Sequence, residues 1–92
     1  MIWTIDFLKP AKKRLKKLDQ QMQKRILDFL YKRVLPTNEP RLLGKALTGD
    51  LNGYWSYRIG DYRVIADIQD DSFTIVAVSI NHRREVYDAP SW

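Results

Sequence analysis

Trp55-Ser56-Tyr57-Arg58-Ile59-Gly60-Asp61-Tyr62-Arg63-Val64-Ile65-Ala66-Asp67-Ile68 is the stretch of sequence that decides the fold of this chain. Gly60-Asp61 separates two runs in which apolar and polar side chains alternate, and a dipeptide of this kind forms the tight turn of a β-hairpin. Alternate residues of a strand point to opposite faces, so the hairpin should have an apolar face and a polar face. We expect Arg58 and Arg63 to flank the turn together on the polar face.

Further strands lie on both sides of this hairpin. The hairpin runs are predicted as Tyr54 to Ile59 and Tyr62 to Gln69. After a turn at Asp70-Asp71-Ser72, Phe73 to Ile80 is apolar on nearly both sides, which is typical of a central strand. Met1 to Asp6 alternates β-branched and aromatic residues with polar ones and is predicted as a first strand. The sequence therefore indicates one N-terminal strand and a three-stranded antiparallel meander.

Two amphipathic helices are predicted between the first strand and the hairpin. Helical spacing of apolar residues begins at Leu8, and Pro10 is tolerated because it falls in the first turn. Asp19 is a plausible N-cap of the second helix, which should end at Leu35 because Pro36 disfavours helical geometry in the residue before it. The apolar stripes consist of Leu8, Ala11, Leu15 and Leu18 in the first helix and Met22, Ile26, Phe29 and Leu30 in the second.

The fold class that follows is α/β of the α+β type. We expect one domain over residues 1–92, with both helices packed on one face of a single twisted sheet. Residues 36–52 contain two prolines and two glycines and lack a sustained period, so they are predicted as a connecting loop.

Composition limits the classes of function. The chain has no cysteine and one histidine, which excludes a disulfide scaffold and a thiolate metal site and makes a histidine metal cluster implausible. The sequence shows neither a membrane span nor a signal peptide, so we expect a cytoplasmic protein that needs no metal or other cofactor. The net charge of +5 divides into +8 for residues 8–35 and −3 for the rest. The basic helices could steer the protein toward nucleic acid or could form an ordinary solvated surface.

The arginines at the end of the hairpin favour a phosphate ligand. Facing guanidinium groups repel each other unless an anion or water lies between them, and each group can hold two phosphate oxygens. The alternative is that Arg58 and Arg63 pair with Asp61, Asp67 or Glu85. Hydrolysis at such a site would be metal-free ribonuclease chemistry, in which the 2′-hydroxyl of the substrate attacks the adjacent phosphate. His82 is a candidate for proton transfer, or otherwise a partly exposed residue at a strand end.

Three sequence segments resemble the RelE/ParE toxin superfamily of bacterial type II toxin-antitoxin systems. They are Gly44-Lys45-Ala46-Leu47-Thr48-Gly49, the hairpin from Trp55 to Arg63, and His82-Arg83-Arg84-Glu85-Val86-Tyr87. The resemblance covers nearly the whole chain. It implies a RelE-like mRNA interferase that acts in the ribosomal A site, with a RelB-like antitoxin as its cognate partner. The ParE branch, whose members poison DNA gyrase, and a non-catalytic RNA-binding module are the alternatives.

The resemblance also implies roles for individual residues. Arg58 would occupy a basic position of the first hairpin strand, Arg63 would stabilise the phosphorane, Arg83 would assist the leaving oxygen and Tyr87 would stack on a base. Ser56 stands where RelE-type enzymes often carry a basic residue. The general base would then be absent or supplied by His82, Lys45 or the ribosome. The predicted catalytic residues are Arg58, Arg63, Arg83, Tyr87 and His82, and the predicted substrate-binding residues are Lys45, Ser56 and Arg84.

Overall fold

A computed structural model describes residues 2–84, and these residues form one five-stranded sheet with helices on one face. The strands are β1 (Thr4–Phe7), β2 (Lys45–Ala46), β3 (Trp55–Ile59), β4 (Tyr62–Gln69) and β5 (Thr74–His82), in the spatial order β1-β5-β4-β3-β2. β1 runs parallel to β5 and all other neighbours are antiparallel. The predicted meander is confirmed as β3, β4 and β5.

The two predicted helices are α1 (Lys9–Lys17) and α2 (Gln20–Asp28). Asp19 caps α2, because its carboxylate accepts a hydrogen bond of 2.7 Å from the backbone N–H of Met22. The α-helical part ends earlier than predicted. The chain continues as a π-helical segment, Phe29–Val34, and then as a 3₁₀ turn, Leu35–Thr37.

The spacing of the core residues accounts for the change of helix type. Ile26, Leu30 and Val34 are each four residues apart and all three are buried in the core. In an α-helix, four residues exceed one turn, so a stripe with this spacing drifts around the helix. A π-helix closes between residues i and i+5 and turns less per residue, which offsets the drift. The wider segment thus keeps three apolar side chains on the sheet.

One core lies between the helices and the sheet. Its buried members from the helical region are Ala11, Ile26, Leu30, Val34 and Leu35, and those from the strands include Tyr57, Ile59, Val64, Ala66, Ile75, Ala77 and Ile80. The predicted placement of both helices on one face of the sheet is therefore confirmed. The prediction that the opposite face is polar is wrong in part. Ser56 and Ile65 form a directly opposed pair on that face and are only 5% and 2% exposed.

Two local features depart from the predicted strands. The loop predicted for residues 36–52 contains β2, whose Lys45 pairs with Ser56 at the edge of the sheet. Between β4 and β5 a bulge shifts the register, so that Ile65 pairs with Ser79 but Ala66 pairs with Ala77. The extra residue reverses the alternation of β5. Ile80 and His82 consequently lie on the same face as Val64 and Tyr62, the face that carries the helices.

The loop of residues 38–44, between the 3₁₀ turn and β2, contacts the sheet at the end of the hairpin away from the β3–β4 turn. The hydroxyl of Tyr57, which is fully buried, donates a hydrogen bond to the carbonyl of Pro40. Burial raises the pKa of Tyr57 to about 12. Arg41 donates two hydrogen bonds, of 3.0 and 2.7 Å, to the carboxylate of Asp70, and its guanidinium lies 5.7 Å from the ring centroid of Trp55.

Candidate nucleic-acid interface

Arg58 and Arg63 lie directly opposite each other, one residue pair back from the β3–β4 turn. They point to the sheet face away from the helices, in line with Asn81 of β5. Directly opposed side chains have Cβ atoms roughly 4.5–5.5 Å apart, so the two arginine side chains leave the sheet side by side. Within residues 2–84 no carboxylate lies at ion-pair distance from either guanidinium, and Glu85 falls outside these residues.

Arg83 joins this pair at one small depression. The depression is lined by Arg58, Gly60, Asp61, Tyr62, Arg63 and Arg83. The backbone N–H of Arg83 donates to the carbonyl of Asp61 at 2.7 Å, and one guanidinium nitrogen of Arg83 lies 3.8 Å from the Asp61 carboxylate. That ion pair is long and half-exposed, with Arg83 50% exposed. The structure thus brings three of the predicted site arginines to one place, with one carboxylate beside them.

A second depression, of about 420 Å³, adjoins the first and shares Asp61 and Arg83 with it. His82 and Arg84 form the rest of its lining. The ring of His82 packs edge-on against Tyr62 with 5.0 Å between centroids, and its Nδ1 accepts a hydrogen bond of 3.1 Å from the backbone N–H of Arg84. A neutral imidazole whose Nδ1 accepts carries its proton on Nε2. His82 and Arg84 therefore lie near the arginines, although His82 is on the helix side of the sheet.

Two other predicted site residues, Lys45 and Ser56, do not line these depressions. Lys45 is exposed on β2 and lies opposite Ser56, further from the hairpin turn than Arg58. Ser56 is buried, so its hydroxyl offers little surface to a ligand. The predicted role of Ser56 in direct substrate binding is therefore not supported by its position. Tyr87 lies outside the described residues.

Asp61 is a site residue that the sequence suggests only as a carboxylate able to neutralise the arginines. The structure places it on the lining of both depressions. Its carbonyl and carboxylate both contact Arg83 and so hold that residue beside the hairpin turn. The signal for this role is its position in a two-residue turn between strands that each carry an arginine.

The described residues offer no ready metal site and no membrane span. Within residues 2–84 no three histidine, cysteine, aspartate or glutamate side chains come together as metal ligands would. None of the helices in this part of the chain is both long enough and apolar enough to cross a bilayer. What the site presents to a ligand is concentrated positive charge on a rigid hairpin, and this suits an anion.

Comparison of the sequence with known families and proteins gives a consistent result. Residues 5–87 match the family described as ParE toxin of type II toxin-antitoxin system, parDE. Toxin RelG of Mycobacterium tuberculosis is 31% identical over 87 residues, which are 95% of this chain and 98% of that protein. Toxin RelE of the same organism is 34% identical over 77 residues, which are 84% of this chain and 77% of that protein.

Solved structures show the same relationship in three dimensions. The crystal structure of the toxin-antitoxin complex RelBE2 from Mycobacterium tuberculosis contains a chain with a TM-score of 0.79 and 30% identity, covering 90% of this chain and 100% of that one. A chain of the archaeal RelE-RelB complex from Pyrococcus horikoshii has a TM-score of 0.67 and 27% identity, covering 90% of this chain and 97% of that one. The chain therefore belongs to the RelE/ParE superfamily and is a toxin of a type II toxin-antitoxin system.

Proposed function

We propose that this toxin is a metal-independent endoribonuclease that cleaves mRNA on the ribosome and so inhibits translation. The observation that carries the proposal is the meeting of Arg58, Arg63 and Arg83 at one depression beside the hairpin turn. Arg58 and Arg63 have no carboxylate partner among residues 2–84. Guanidinium groups that no carboxylate of residues 2–84 neutralises can hold the oxygens of a phosphodiester.

The reaction would use the nucleophile of the substrate. The 2′-oxygen attacks the adjacent phosphorus, a P–O2′ bond forms, and the P–O5′ bond breaks to leave a 2′,3′-cyclic phosphate and a 5′-hydroxyl. Negative charge grows on the phosphorus oxygens as the phosphorane forms, and fixed guanidinium groups stabilise that charge more than they stabilise the substrate. Arg63 and Arg58 would contact the phosphorane. Arg83 would contact the leaving oxygen, and Tyr87 would orient a base.

The chain differs from the RelE-type pattern in the residue that would transfer the proton. Ser56 provides no base, because it is buried and is a hydroxyl rather than a basic group. His82 has its Nδ1 occupied by the backbone N–H of Arg84, so in the neutral ring the proton sits on Nε2. In that form neither ring nitrogen has a free lone pair to take the proton of the 2′-hydroxyl, so His82 is not placed to act as the base. The base would then come from Lys45, the ribosome or the substrate.

The proposed setting is the cytoplasm, with an antitoxin as the regulating partner. The RelBE2 and archaeal structures that this chain resembles are toxin-antitoxin complexes by their names. An acidic antitoxin segment that covered the depression would cancel its charge and exclude RNA at the same time. A RelB-like partner is the form that we propose for this chain.

A ParE-like action on DNA gyrase is the second candidate function. The family matched over residues 5–87 is named for ParE, and a shared fold does not choose between targets. Arg58, Arg63 and Arg83 favour the ribonuclease, because they meet at one depression and guanidinium groups suit the oxygens of a phosphodiester. The ribonuclease would leave cut mRNA, whereas action on gyrase would leave intact mRNA and broken DNA.

The test is primer extension on an mRNA translated by purified ribosomes, with the protein and its Arg63→Ala variant. We expect cuts in phase with codons for the wild type and a rate lower by roughly 10²–10³-fold for the variant, as for loss of one oxyanion donor. Arg41→Ala is the matched control, because this arginine is bound to Asp70 at the other end of the hairpin. Equal cleavage by Arg63→Ala and wild type would contradict the proposal. Intact message together with gyrase-dependent DNA breaks would establish the second candidate.

A further inference from the structure

A groove on the helix side of the hairpin is not used by the proposed reaction. It lies between the C-terminal half of the second helical region and the end of β3, and its volume is about 430 Å³. Its lining consists of Arg25, Asp28, Phe29, Lys32, Arg33, Arg58, Ile59 and Gly60. Much of this lining comes from the π-helical segment, Phe29–Val34, and π-helical turns occur frequently at functional sites.

The groove is strongly basic. Three lining residues of the helical region, Arg25, Lys32 and Arg33, are positive, and one, Asp28, is negative. The one carboxylate, Asp28, is already shared between Lys24 at 3.6 Å and Lys32 at 3.4 Å. Across the described part of the chain, no carboxylate lies at ion-pair distance from Arg25 or Arg33. Within residues 2–84 these two guanidinium groups resemble that of Arg58, and an external anion could bind them.

The backbone and an aromatic ring hold both arginines in place. Gly60 has a φ of 60°, and a Cβ at this position would lie 3.2 Å from a guanidinium nitrogen of Arg25. The absence of a side chain there lets Arg25 rest on the hairpin turn. The guanidinium of Arg33 lies 5.3 Å from the ring centroid of Phe29, within the range of a cation–π contact. Each guanidinium thus has a neighbour at the groove, and both side chains remain exposed to a ligand.

The groove is continuous with the candidate site. Arg58 and Gly60 line both this groove and the depression that holds Arg63 and Arg83. We propose that the groove binds the phosphates of the same RNA strand beyond the cleaved bond, with Arg25 and Arg33 each contacting one phosphate. The inference rests on the proposed function, because it requires RNA across the arginine depression. A planar guanidinium suits a phosphate, and one strand crossing the turn at Gly60 would reach both places.

The experiment measures binding of 2′-O-methyl RNA, which lacks the nucleophile and stays intact. Fluorescence anisotropy compares oligonucleotides of about 4 and about 12 nucleotides at several salt concentrations. Wild type, Arg25→Gln/Arg33→Gln and Lys13→Gln/Lys17→Gln are compared; the last variant removes the same charge from α1, outside the groove. For the longer RNA we expect the groove variant to bind at least 10-fold more weakly. Its salt slope should fall by about 0.7 for each phosphate that the variant no longer binds.

The expected signature is specific to length and position. The short RNA should bind the groove variant and the wild type with affinities within about twofold of each other. The salt slope of the α1 variant should differ from that of the wild type by less than about 0.7, the contribution of one phosphate. Equal slopes for the groove and α1 variants on the longer RNA, with normal cleavage by the wild type, would overturn the groove proposal alone. If the wild type bound no RNA but still cut mRNA on the ribosome, the groove proposal alone would be overturned; absence of both binding and cutting would overturn both proposals. Unchanged RNA binding with weakened binding of a co-purified antitoxin would overturn the groove proposal in favour of a protein site.

Discussion

Arginines at the two ends of the β3–β4 hairpin have opposite surroundings. Arg41 is held at one end by two hydrogen bonds to Asp70 and by the ring of Trp55. The hydrogen bonds from Arg41 hold the pKa of Asp70 below its usual range, and those same bonds raise the pKa of Arg41. Arg58 and Arg63 at the other end face each other without a carboxylate partner in residues 2–84. The ion pair of Arg41 with Asp70 stabilises the first end, whereas like charges face each other at the second end.

The difference shows how to separate structural from functional cations in this molecule. A neutralised arginine beside a buried tyrosine can be explained by packing and pairing alone. Two directly opposed arginines repel each other, and packing or pairing among residues 2–84 gives no reason for their position. The comparison also predicts that substitutions at the two ends should change different measurements. Those at the anchored end should lower stability, and those at the hairpin turn should lower RNA binding or cleavage.

The largest effect on stability is expected from Tyr57→Ala at the anchored end. Tyr57 is completely buried, packs edge-on against Phe29 at 6.2 Å, and donates to Pro40. Removal of a buried aromatic ring costs about 3–5 kcal/mol, which is a large part of the stability of a small domain. Urea denaturation followed by circular dichroism measures the loss. Tyr31→Ala is the control, because Tyr31 is 43% exposed and its removal should change stability by less than about 0.5 kcal/mol.

A milder change at the same residue should show a pH dependence. Tyr57→Phe keeps the ring and leaves the Pro40 carbonyl without its donor, a loss of about 1 kcal/mol at pH 7. The raised pKa of Tyr57, about 12, means that the folded state keeps the phenol neutral where the unfolded state ionises. Wild-type stability should therefore fall as the pH rises through 10 toward 12, and the total loss approaches roughly 2.7 kcal/mol above the folded-state pKa. The variant lacks this loss.

The two denaturation curves should consequently approach and cross above pH 10. All other ionisable groups are the same in both proteins, so their contributions cancel in the difference. A difference in unfolding free energy that stayed constant from pH 7 to pH 12 would contradict the buried, hydrogen-bonded state of Tyr57.

Sequence periodicity predicted the hairpin more completely than the strand beside it. The turn at Gly60-Asp61 and the alternation around it place Arg58 opposite Arg63, and the structure confirms this register. The two-residue strand β2 is too short to produce an alternating pattern. The bulge at Ile65/Ala66 is also invisible to a period of two, because it depends on which residues of β5 the partner strand meets.

The sequence predicted those parts of the candidate site whose positions are set by the strand pairing of the hairpin. Arg58, Arg63 and Arg83 come together because the turn and the end of β5 are neighbours in the sheet. The sequence left open whether carboxylates neutralise them, since ion pairing depends on side-chain distances. It also could not show the basic groove. Arg25 reaches Gly60 only because the second helix packs across the hairpin, and that contact joins residues far apart in the chain.

Lowering the pH should remove the stabilising effect of the Arg41–Asp70 ion pair. Hydrogen bonds from Arg41 lower the pKa of Asp70 in the folded state. The pair therefore adds to the unfolding free energy above the unfolded-state pKa near 4, and this stabilisation is lost as the pH falls through the folded-state pKa. Asp70→Asn should be less stable than the wild type at pH 7, and the difference should vanish as the pH falls below about 4. Melting temperatures between pH 7 and pH 2 measure this. Asp71→Asn is the control, because its neighbour Asp70 makes the bond to Arg41. A gap between Asp70→Asn and wild type that persisted at pH 2 would contradict the ion pair as its cause.

The smallest expected change in stability has the opposite sign. Arg58→Gln keeps most of the long side chain and removes the charge that faces Arg63, so it should raise the unfolding free energy by about 0.2–1 kcal/mol at low salt. The gain should shrink as salt screens the repulsion, and RNA binding should weaken in the same variant. Urea denaturation at two salt concentrations measures the first effect, and anisotropy with 2′-O-methyl RNA measures the second. Lys45→Gln is the matched control, since Lys45 lies on the same sheet but faces Ser56 instead of a cation. If Arg58→Gln were less stable than Lys45→Gln at low salt, the opposed arginines would be supporting the sheet, and the contrast between the two ends of the hairpin would fail.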